Sequence, residues 1–531
     1  MRNFFANKMC LRIVACLLSV LVLMFFCVLR VTKVASLTYE NRSDFNGYKI
    51  KIDNGRGDFY YSNGERITGQ ENFYYLVFLP CDEAILKFSQ IARGQELENG
   101  LKTLKDQKPV IIKSEKAVSG VGVFSFQGQN RYSNELGLEH IIGYLDADNN
   151  GVMGLEKAYN QLLKSESGTE VTFTVSASGE FLLGEKPEMK NSVTSGNVYL
   201  TIDKKIQQIC YNATKSLKKG AVIVTEINSG KIRGMVSKPS FDPYNLKAYV
   251  QSKSSPFLNR ALSAYSVGSV FKPLIAAAML ENSKGGYNFT CSGHTDILGI
   301  RFYCNNRNGH GNMNLNNAIV HSCNTYFYSA AAEVNPKAFT EISATLQFGK
   351  KINIADGIYS AAGSFTSLNE LKKSKANLAN FAIGQGNIAL SPLAVSNLYS
   401  AIANGGYYYT PTLIEKYTEK GRVTELKSPL KTFVFSEKTA NELKKYLVNA
   451  VSNGTGKNAL PQEGGAGGKT ATAQTGRYDN KKEILNAWFC GFFPEKEPKY
   501  SVVVLAEDAD SGSANSAPIF KKIANEINKI I

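Results

Sequence analysis

The stretch Ala264–Leu280, AYSVGSVFKPLIAAAML, governs how the rest of the chain is read. Ser269 follows Gly268 and stands ahead of a strongly apolar helical run, and Lys272 comes three positions later. That spacing puts serine and lysine on one helical face. A helix N-terminus carries partial positive charge that stabilises an alkoxide, and a buried lysine that has lost its proton is a base. S-x-x-K alone also fits a capping serine near a surface lysine, so the pair needs company.

Company comes further along the chain. Ser322-Cys323-Asn324 lies in IVHSCNTYFY about fifty residues on, and Lys469-Thr470 lies in GGAGGKTATAQTG well over a hundred residues beyond that. The glycine-rich stretch is not a phosphate loop. G-x-x-x-x-G-K-[ST] ending at Gly468-Lys469-Thr470 needs a glycine where Glu463 stands. No paired-carboxylate hydrolase or Ser-His-Asp set presents itself, and histidine occurs only at His140, His294, His310 and His321.

S-x-x-K, S-x-N and K-T-x in this order resemble the active-site set of penicillin-binding proteins and class A β-lactamases. The resemblance covers most of the chain from about Gly55 onward. RGDFYYSNG (Arg56–Gly64) is similar to the RGxIYDRNG motif of class B penicillin-binding proteins, with Tyr61 and Ser62 where Asp and Arg usually stand. RYSNELGLEHIIGYLD (Arg131–Asp146) and GLEKAYNQLL (Gly154–Leu163) resemble their juxtamembrane segments. FAIGQGNIALSPL (Phe381–Leu393), AIANGG (Ala401–Gly406) and NAWFCGFFP (Asn486–Pro494) resemble transpeptidase-domain segments. The resemblance implies an α/β fold of the penicillin-binding and β-lactamase-like kind, an antiparallel sheet flanked by helices. It also implies a monofunctional peptidoglycan D,D-transpeptidase, with no room for a glycosyltransferase domain.

Carried onto these positions, the family's chemistry is a covalent acyl transfer. Ser269 attacks the D-Ala-D-Ala carbonyl of a stem peptide with Lys272 as base. Ser322 relays a proton to the leaving D-Ala, and Asn324 holds the acyl side chain. Backbone N–H groups of Ser269 and Thr472 form the oxyanion hole. Lys469, Thr470 and Thr472 receive the substrate carboxylate, an amine of a neighbouring stem resolves the acyl-enzyme, and β-lactams trap Ser269. One departure stands out: Ala471 occupies the place of the usual glycine in K-T-G, where a methyl would narrow the cleft or be absorbed by a small backbone shift. Alternatives are a catalytically impaired scaffold of a wall-synthesis complex and a D,D-carboxypeptidase or β-lactamase that passes the acyl group to water.

Cysteine adds a separate expectation. Cys291, Cys304, His310 and Cys323 form C-x12-C-x5-H-x12-C, and three thiolates with an imidazole make a closed tetrahedral zinc set. Some class B enzymes that this chain resembles carry a structural zinc beside the S-x-N motif. A Cys291–Cys304 disulfide, or plain buried thiols, would use the same residues differently, and His294 or His321 could replace His310. The acyl-transfer chemistry itself needs no cofactor.

Beyond the motifs, VYLTID (198–203) reads as a strand, Lys204–Leu217 as a helix and AVIVTEI (221–227) as a strand closed by Asn228-Ser229-Gly230. Tyr500–Leu505 is β-rich, and Ser516 and Pro518 open a helix with Ile519, Ile523, Ile527 and Ile530 on one face. A transpeptidase domain is therefore expected over 197–531 and a small α+β juxtamembrane pedestal or dimerisation-like module over 39–196. Ile13–Leu29 carries no charge and is bracketed by Arg2, Lys8 and Arg12 and by Arg30 and Lys33, so a membrane helix is expected over 13–33 with a cytoplasmic tail at 1–12. Val34-Ala35-Ser36 is the competing cleavage site.

The 531 residues carry a formal charge of +16, which suits nucleic acid or an anionic wall and membrane equally. Export decides against nucleic acid. Expected partners are stem peptides, β-lactams, membrane lipid and a cell-wall glycosyltransferase, with the catalytic domain outside a single-pass anchor. Nine cysteines, three of them (Cys10, Cys16, Cys27) in or beside the membrane run, are too sparse for a disulfide scaffold.

Overall fold

A computed structural model describes residues 2–40, 47–133, 136–165, 168–191 and 195–530, so Asn134 and Glu135 of the RYSNELGLEHIIGYLD stretch lie outside the described residues. Its packing divides the chain into two units. The smaller takes the N-terminal residues through Gly55 together with Asn72–Gln129 and the segment from Ser165; the larger takes Arg56–Glu71, Asn130–Lys164 and the chain from Ser195 onward. The stretch 39–196 is thus shared between the units. Two physical ties draw its parts into the larger one. Phe59–Tyr60 pairs in parallel with Asn197–Leu200, and Arg56 and Arg131 both bind the buried Glu156.

In the smaller unit, helix α1 (Arg2–Glu40) contains Leu11–Lys33, 23 residues of mean hydropathy 2.7 with none buried, long and apolar enough to cross a membrane. The remainder is α+β. One antiparallel sheet joins Gly47–Asp53, Thr169–Thr174 and Glu188–Asn191, and another places Glu71–Phe78 between Val110–Ser114 and Val123–Asn130. Alternation along Leu76-Val77-Phe78-Leu79 sends Leu76 and Phe78 against the helices Asp82–Ile91 and Gly94–Lys105, and Val77 and Leu79 against Val171 and Phe173.

The larger unit is built on a five-stranded sheet of β1 (Gly220–Glu226), β2 (Ile232–Lys238), β3 (Gly467–Asp479), β4 (Lys482–Phe493) and β5 (Tyr500–Glu507). Its order is β2-β1-β5-β4-β3, antiparallel throughout. Both faces are covered, which is why these strands read as apolar runs. Val222, Val224, Val502 and Val504 pack on Ile206 and Cys210 of α2 (Lys204–Ala213) and on Phe520, Ile523 and Ile527 near the C-terminus. Ala221, Ile223, Val503 and Leu505 pack on the other side with α3 (Lys272–Glu281) and α4 (Pro392–Ala403). Each buried aliphatic side chain contributes roughly 1.5–3 kcal/mol. Helix α5 (Glu437–Ser452) precedes β3, and α6 (Ala517–Asn528) closes the chain with Pro518 in its first turn. Ile530 falls beyond α6 and is half exposed.

Two expected elements differ in detail. The VYLTID strand covers Asn197–Leu200 and belongs to a separate small sheet with Ile414–Glu419, because Thr201 and Asp203 turn the chain into α2, where the Asp203 carboxylate caps the Ile206 N–H at 3.0 Å. The helix after it ends at Ala213, with Thr214 hydrogen-bonded back to the Cys210 carbonyl.

Candidate active site

Ser269 lies in a tight turn, Gly268–Phe271, that runs directly into α3. Residues Lys272–Met279 of α3 are all buried, so the helix is apolar on every side and its one cation faces inward. Gly268 adopts φ +61°, and a Cβ there would meet the Cβ atoms of Ala473 at 3.2 Å and Ala471 at 3.5 Å. The Ala471 methyl therefore packs behind the turn that carries Ser269, in space that Gly268 leaves free. Of the two alternatives, narrowing or absorption, the position of the methyl beside Gly268 favours absorption.

Three distant segments hold that turn by its backbone. The Gly268 N–H donates to the Gly384 carbonyl at 2.9 Å. Trp488 donates its indole N–H to the Ser266 carbonyl at 2.9 Å, and Tyr399 donates its hydroxyl to the Val270 carbonyl at 2.9 Å.

Lys272 Nζ donates to Asn324 Oδ1 at 2.6 Å, to the Ser322 carbonyl at 2.8 Å and to Ser322 Oγ at 3.2 Å. Ser322 Oγ in turn donates to Ser269 Oγ at 3.1 Å. Ser322 thus stands between Lys272 and Ser269 and links them. Ser322 holds φ +56°, a left-handed backbone that a non-glycine residue adopts only under constraint. Burial pushes the Lys272 ammonium down to about 7, only partly offset by the nearby thiols of Cys323 and Cys304.

Lys469, on edge strand β3, is wholly buried and is held well below the usual lysine range, first by burial and then by the charge of Lys272. It donates to the Thr470 carbonyl at 3.2 Å and reaches Thr455 Oγ1 at 3.5 Å. Thr470 donates to the same Thr455 hydroxyl at 3.1 Å, and the exposed Thr472 accepts the Gly512 N–H at 3.4 Å. β3 is the sheet edge, paired as a strand with β4 alone, the side of a sheet where an extended ligand can add. Ser269, Lys272, Ser322, Asn324, Lys469 and Thr470 therefore converge, with Thr472 on the same strand.

Two residues of the site escaped the sequence. Asn305 accepts the Asn324 amide N–H at 3.1 Å, which together with Lys272 fixes both ends of that amide. Thr455, just past α5, joins Lys469 to Thr470 and donates its backbone N–H to Val320 at 3.1 Å. Neither lies in a motif.

Cys291, Cys304, His310 and Cys323 bring their ligand atoms within 4.8 Å of one another. Cys304 Sγ lies 3.9 Å from Cys323 Sγ, and His310 Nδ1 lies 3.6 Å from Cys291 Sγ and 3.5 Å from Cys304 Sγ. A tetrahedral zinc with Zn–S of about 2.3 Å and Zn–N of about 2.0–2.1 Å requires S···S of about 3.8 Å and S···N of about 3.5–3.6 Å. The spacing fits a metal. The thiols of Cys291, Cys304 and Cys323 are free, so the alternative Cys291–Cys304 disulfide is not formed. A hydrogen bond from Cys323 and the backbone N–H groups of Thr325, Asn324 and Asn306 hold the Cys304 thiol well below its usual range. His294 and His321 lie outside the cluster.

A serine linked to a buried lysine through a second serine, beside an edge strand carrying lysine and threonine, defines a serine acyltransferase site. Comparison with known proteins identifies its family. The penicillin binding protein transpeptidase domain matches residues 220–525. Stage V sporulation protein D of Bacillus subtilis is 31% identical over 73% of this chain and 62% of its own length. The peptidoglycan D,D-transpeptidase MrdA of Haemophilus influenzae is 26% identical over 98% of this chain and 91% of its own. A chain from a solved peptidoglycan synthase complex, described as coordinating polymerization and crosslinking, superposes with a TM-score of 0.73 at 22% identity, covering 96% of this chain and 97% of that one. The chain belongs to the penicillin-binding protein transpeptidase family, and within it to the class B kind.

Proposed function

We propose that the protein is a membrane-anchored peptidoglycan D,D-transpeptidase acting through an acyl-enzyme on Ser269. The observation that carries the proposal is the continuous chain from Lys272 Nζ through Ser322 Oγ to Ser269 Oγ. Neutral Lys272 draws the Ser269 proton through Ser322 as Ser269 Oγ attacks the penultimate D-Ala carbonyl. The N–H groups of Ser269 and Thr472 bind the developing oxyanion, Asn324 holds the acyl side chain, and Lys469, Thr470 and Thr472 receive the terminal carboxylate. Collapse breaks the peptide bond, and the proton held at Lys272 passes back through Ser322 to the departing D-Ala amine. An amine of a second stem then attacks the ester, restoring Ser269 and forming the cross-link.

Cys291, Cys304, His310 and Cys323 would hold a zinc ion whose contribution is structural, tying Ser322–Asn324 to the segment that carries Asn305. The basic N-terminal tail is placed on the cytoplasmic side of α1, the smaller unit is read as a pedestal and the larger as the catalytic domain outside. A cell-wall glycosyltransferase is proposed as partner, which the likeness to a synthase-complex chain supports. The full chain in detergent, incubated with fluorescent penicillin beside Ser269→Ala, tests the reading. A covalent adduct on the parent chain and none on the variant is expected; an unlabelled parent, or a labelled variant, overturns it.

A further inference from the structure

Asn305 is an exposed residue whose side chain turns back into the site. Among the described residues its side chain makes one hydrogen bond, accepting an Asn324 Nδ2 hydrogen at 3.1 Å from 19 positions along the chain. We propose that Asn305 is a positioning residue for the acyl donor: by holding one N–H of Asn324 it presents the other to the amide carbonyl of the donor's side chain. The inference rests on the transpeptidase reading and adds the residue that aims Asn324.

Lys272 decides which end of the Asn324 amide it faces. Its Nζ lies 2.6 Å from Asn324 Oδ1, 2.8 Å from the Ser322 carbonyl and 3.2 Å from Ser322 Oγ. A neutral amine can give its hydrogens to the Ser322 carbonyl and to Asn324 Oδ1, which leaves its lone pair for the Ser322 hydroxyl, the direction in which the base must act. Asn324 therefore shows Lys272 its oxygen and turns its nitrogen away. That nitrogen carries two hydrogens in diverging directions, and Asn305 Oδ1 takes one of them. The other has no acceptor among the described residues. Asn324 is only 8% exposed, so an N–H left unpaired there carries the cost of an unsatisfied donor, and a side-chain amide carbonyl of the donor removes it.

The turn that carries Asn305 is held without help from Asn324. The Cys304 N–H donates to the Gly293 carbonyl at 2.9 Å. Asn306 braces the turn from the other side, donating its side-chain amide to the Gly309 carbonyl at 2.7 Å and accepting the Asn308 N–H at 3.1 Å. Gly309 adopts φ +84°, and a Cβ there would run into the Cys291 carbonyl oxygen, so glycine lets the turn close on the strand beside it. An acceptor anchored in this way can restrain Asn324, because its own backbone does not depend on the group it holds.

The test compares two acyl donors on the full chain in detergent: benzylpenicillin, which has a side-chain amide, and the penicillin nucleus that bears a free amine in its place. Competition with fluorescent penicillin gives the acylation rate for each. In Asn305→Ala the ratio of the benzylpenicillin rate to the nucleus rate should fall about fivefold, the weight of one neutral hydrogen bond. Asn305→Asp keeps an acceptor oxygen and should hold the parent ratio within about twofold. A ratio taken on one preparation does not move with the folded fraction, and a general loosening of the turn slows both donors alike. An unchanged ratio in Asn305→Ala, or an equal fall in Asn305→Asp, would overturn the proposal while leaving Ser269 acylation intact. A parent chain acylated by neither donor would overturn the transpeptidase reading and the proposal with it, so the two failures are told apart.

Discussion

In the proposed cycle, Lys272 is the residue whose protonation the chemistry turns on. Burial brings it from the usual 10.5 to about 7, so its neutral form is available near physiological pH. Only that form accepts the serine proton. The second-order rate of penicillin acylation should therefore fall about tenfold per pH unit below pH 7 and level off above it. Stopped-flow acylation across pH 5–9 checks this, and a rate flat down to pH 5 would remove Lys272 as base. The Ala471 methyl gives a second test at this scale. Gly268→Ala puts a Cβ against Ala471 and Ala473 at a φ of +61°, costing roughly 1–2 kcal/mol and displacing Ser269. We expect at least about a tenfold loss of acylation rate, partly restored by adding Ala471→Gly, whereas Ala471→Gly alone changes the rate less than about threefold. Equal rates for Gly268→Ala and the double variant would show that the methyl is not the obstacle.

Single motif residues were legible because chemistry constrains their type and order. Elements were legible only where burial is one-dimensional. The apolar runs at 221–227 and 500–505 became β1 and β5, since a strand covered on both faces shows as an unbroken run. Asn305 and Thr455 were not legible. Each is a lone polar residue made important by a partner 19 or 15 positions away across a turn, and no local pattern records that. The segment between Cys291 and Asn324 is the element that a metal held by the proposed Cys291, Cys304, His310 and Cys323 set would brace. It contains three short strands, His294–Ile297, Ile300–Tyr303 and Gly311–Met313, with buried cysteines at both ends and Asn305 in its course, and its hydrophobic residues Leu298, Ile300 and Tyr303 are exposed. Chelation of the purified chain should cut acylation at least about tenfold and lower its melting temperature, with zinc restoring both. Cys304→Ala should reproduce the loss without responding to zinc. Stoichiometric metal by mass spectrometry is the matching readout; a metal-free chain of full activity would reduce the cluster to buried thiols.

At the scale of the whole chain, the sequence order hides which segments fold together. The resembling stretches around Arg56, Arg131 and Glu156 read as three separate juxtamembrane pieces, yet in the larger unit they share one buried ion cluster. Arg56 Nε binds Glu156 Oε2 at 2.7 Å, Arg131 binds the other carboxylate oxygen, and Tyr132 donates to it at 3.2 Å. Glu156 is 0% exposed and the Arg56 side chain 4%. Removing a buried carboxylate strands two guanidinium groups away from water, whereas an exposed pair such as Lys529–Glu526 is worth at most about 1 kcal/mol. Glu156→Ala should therefore cost about 3–5 kcal/mol in urea unfolding of the larger unit, and Glu526→Ala less than about 1 kcal/mol. Because the cluster includes no proposed catalytic group, the folded fraction of Glu156→Ala should still be labelled by penicillin in proportion to its amount. A loss of labelling with unchanged unfolding would instead give Glu156 a part in the catalytic site.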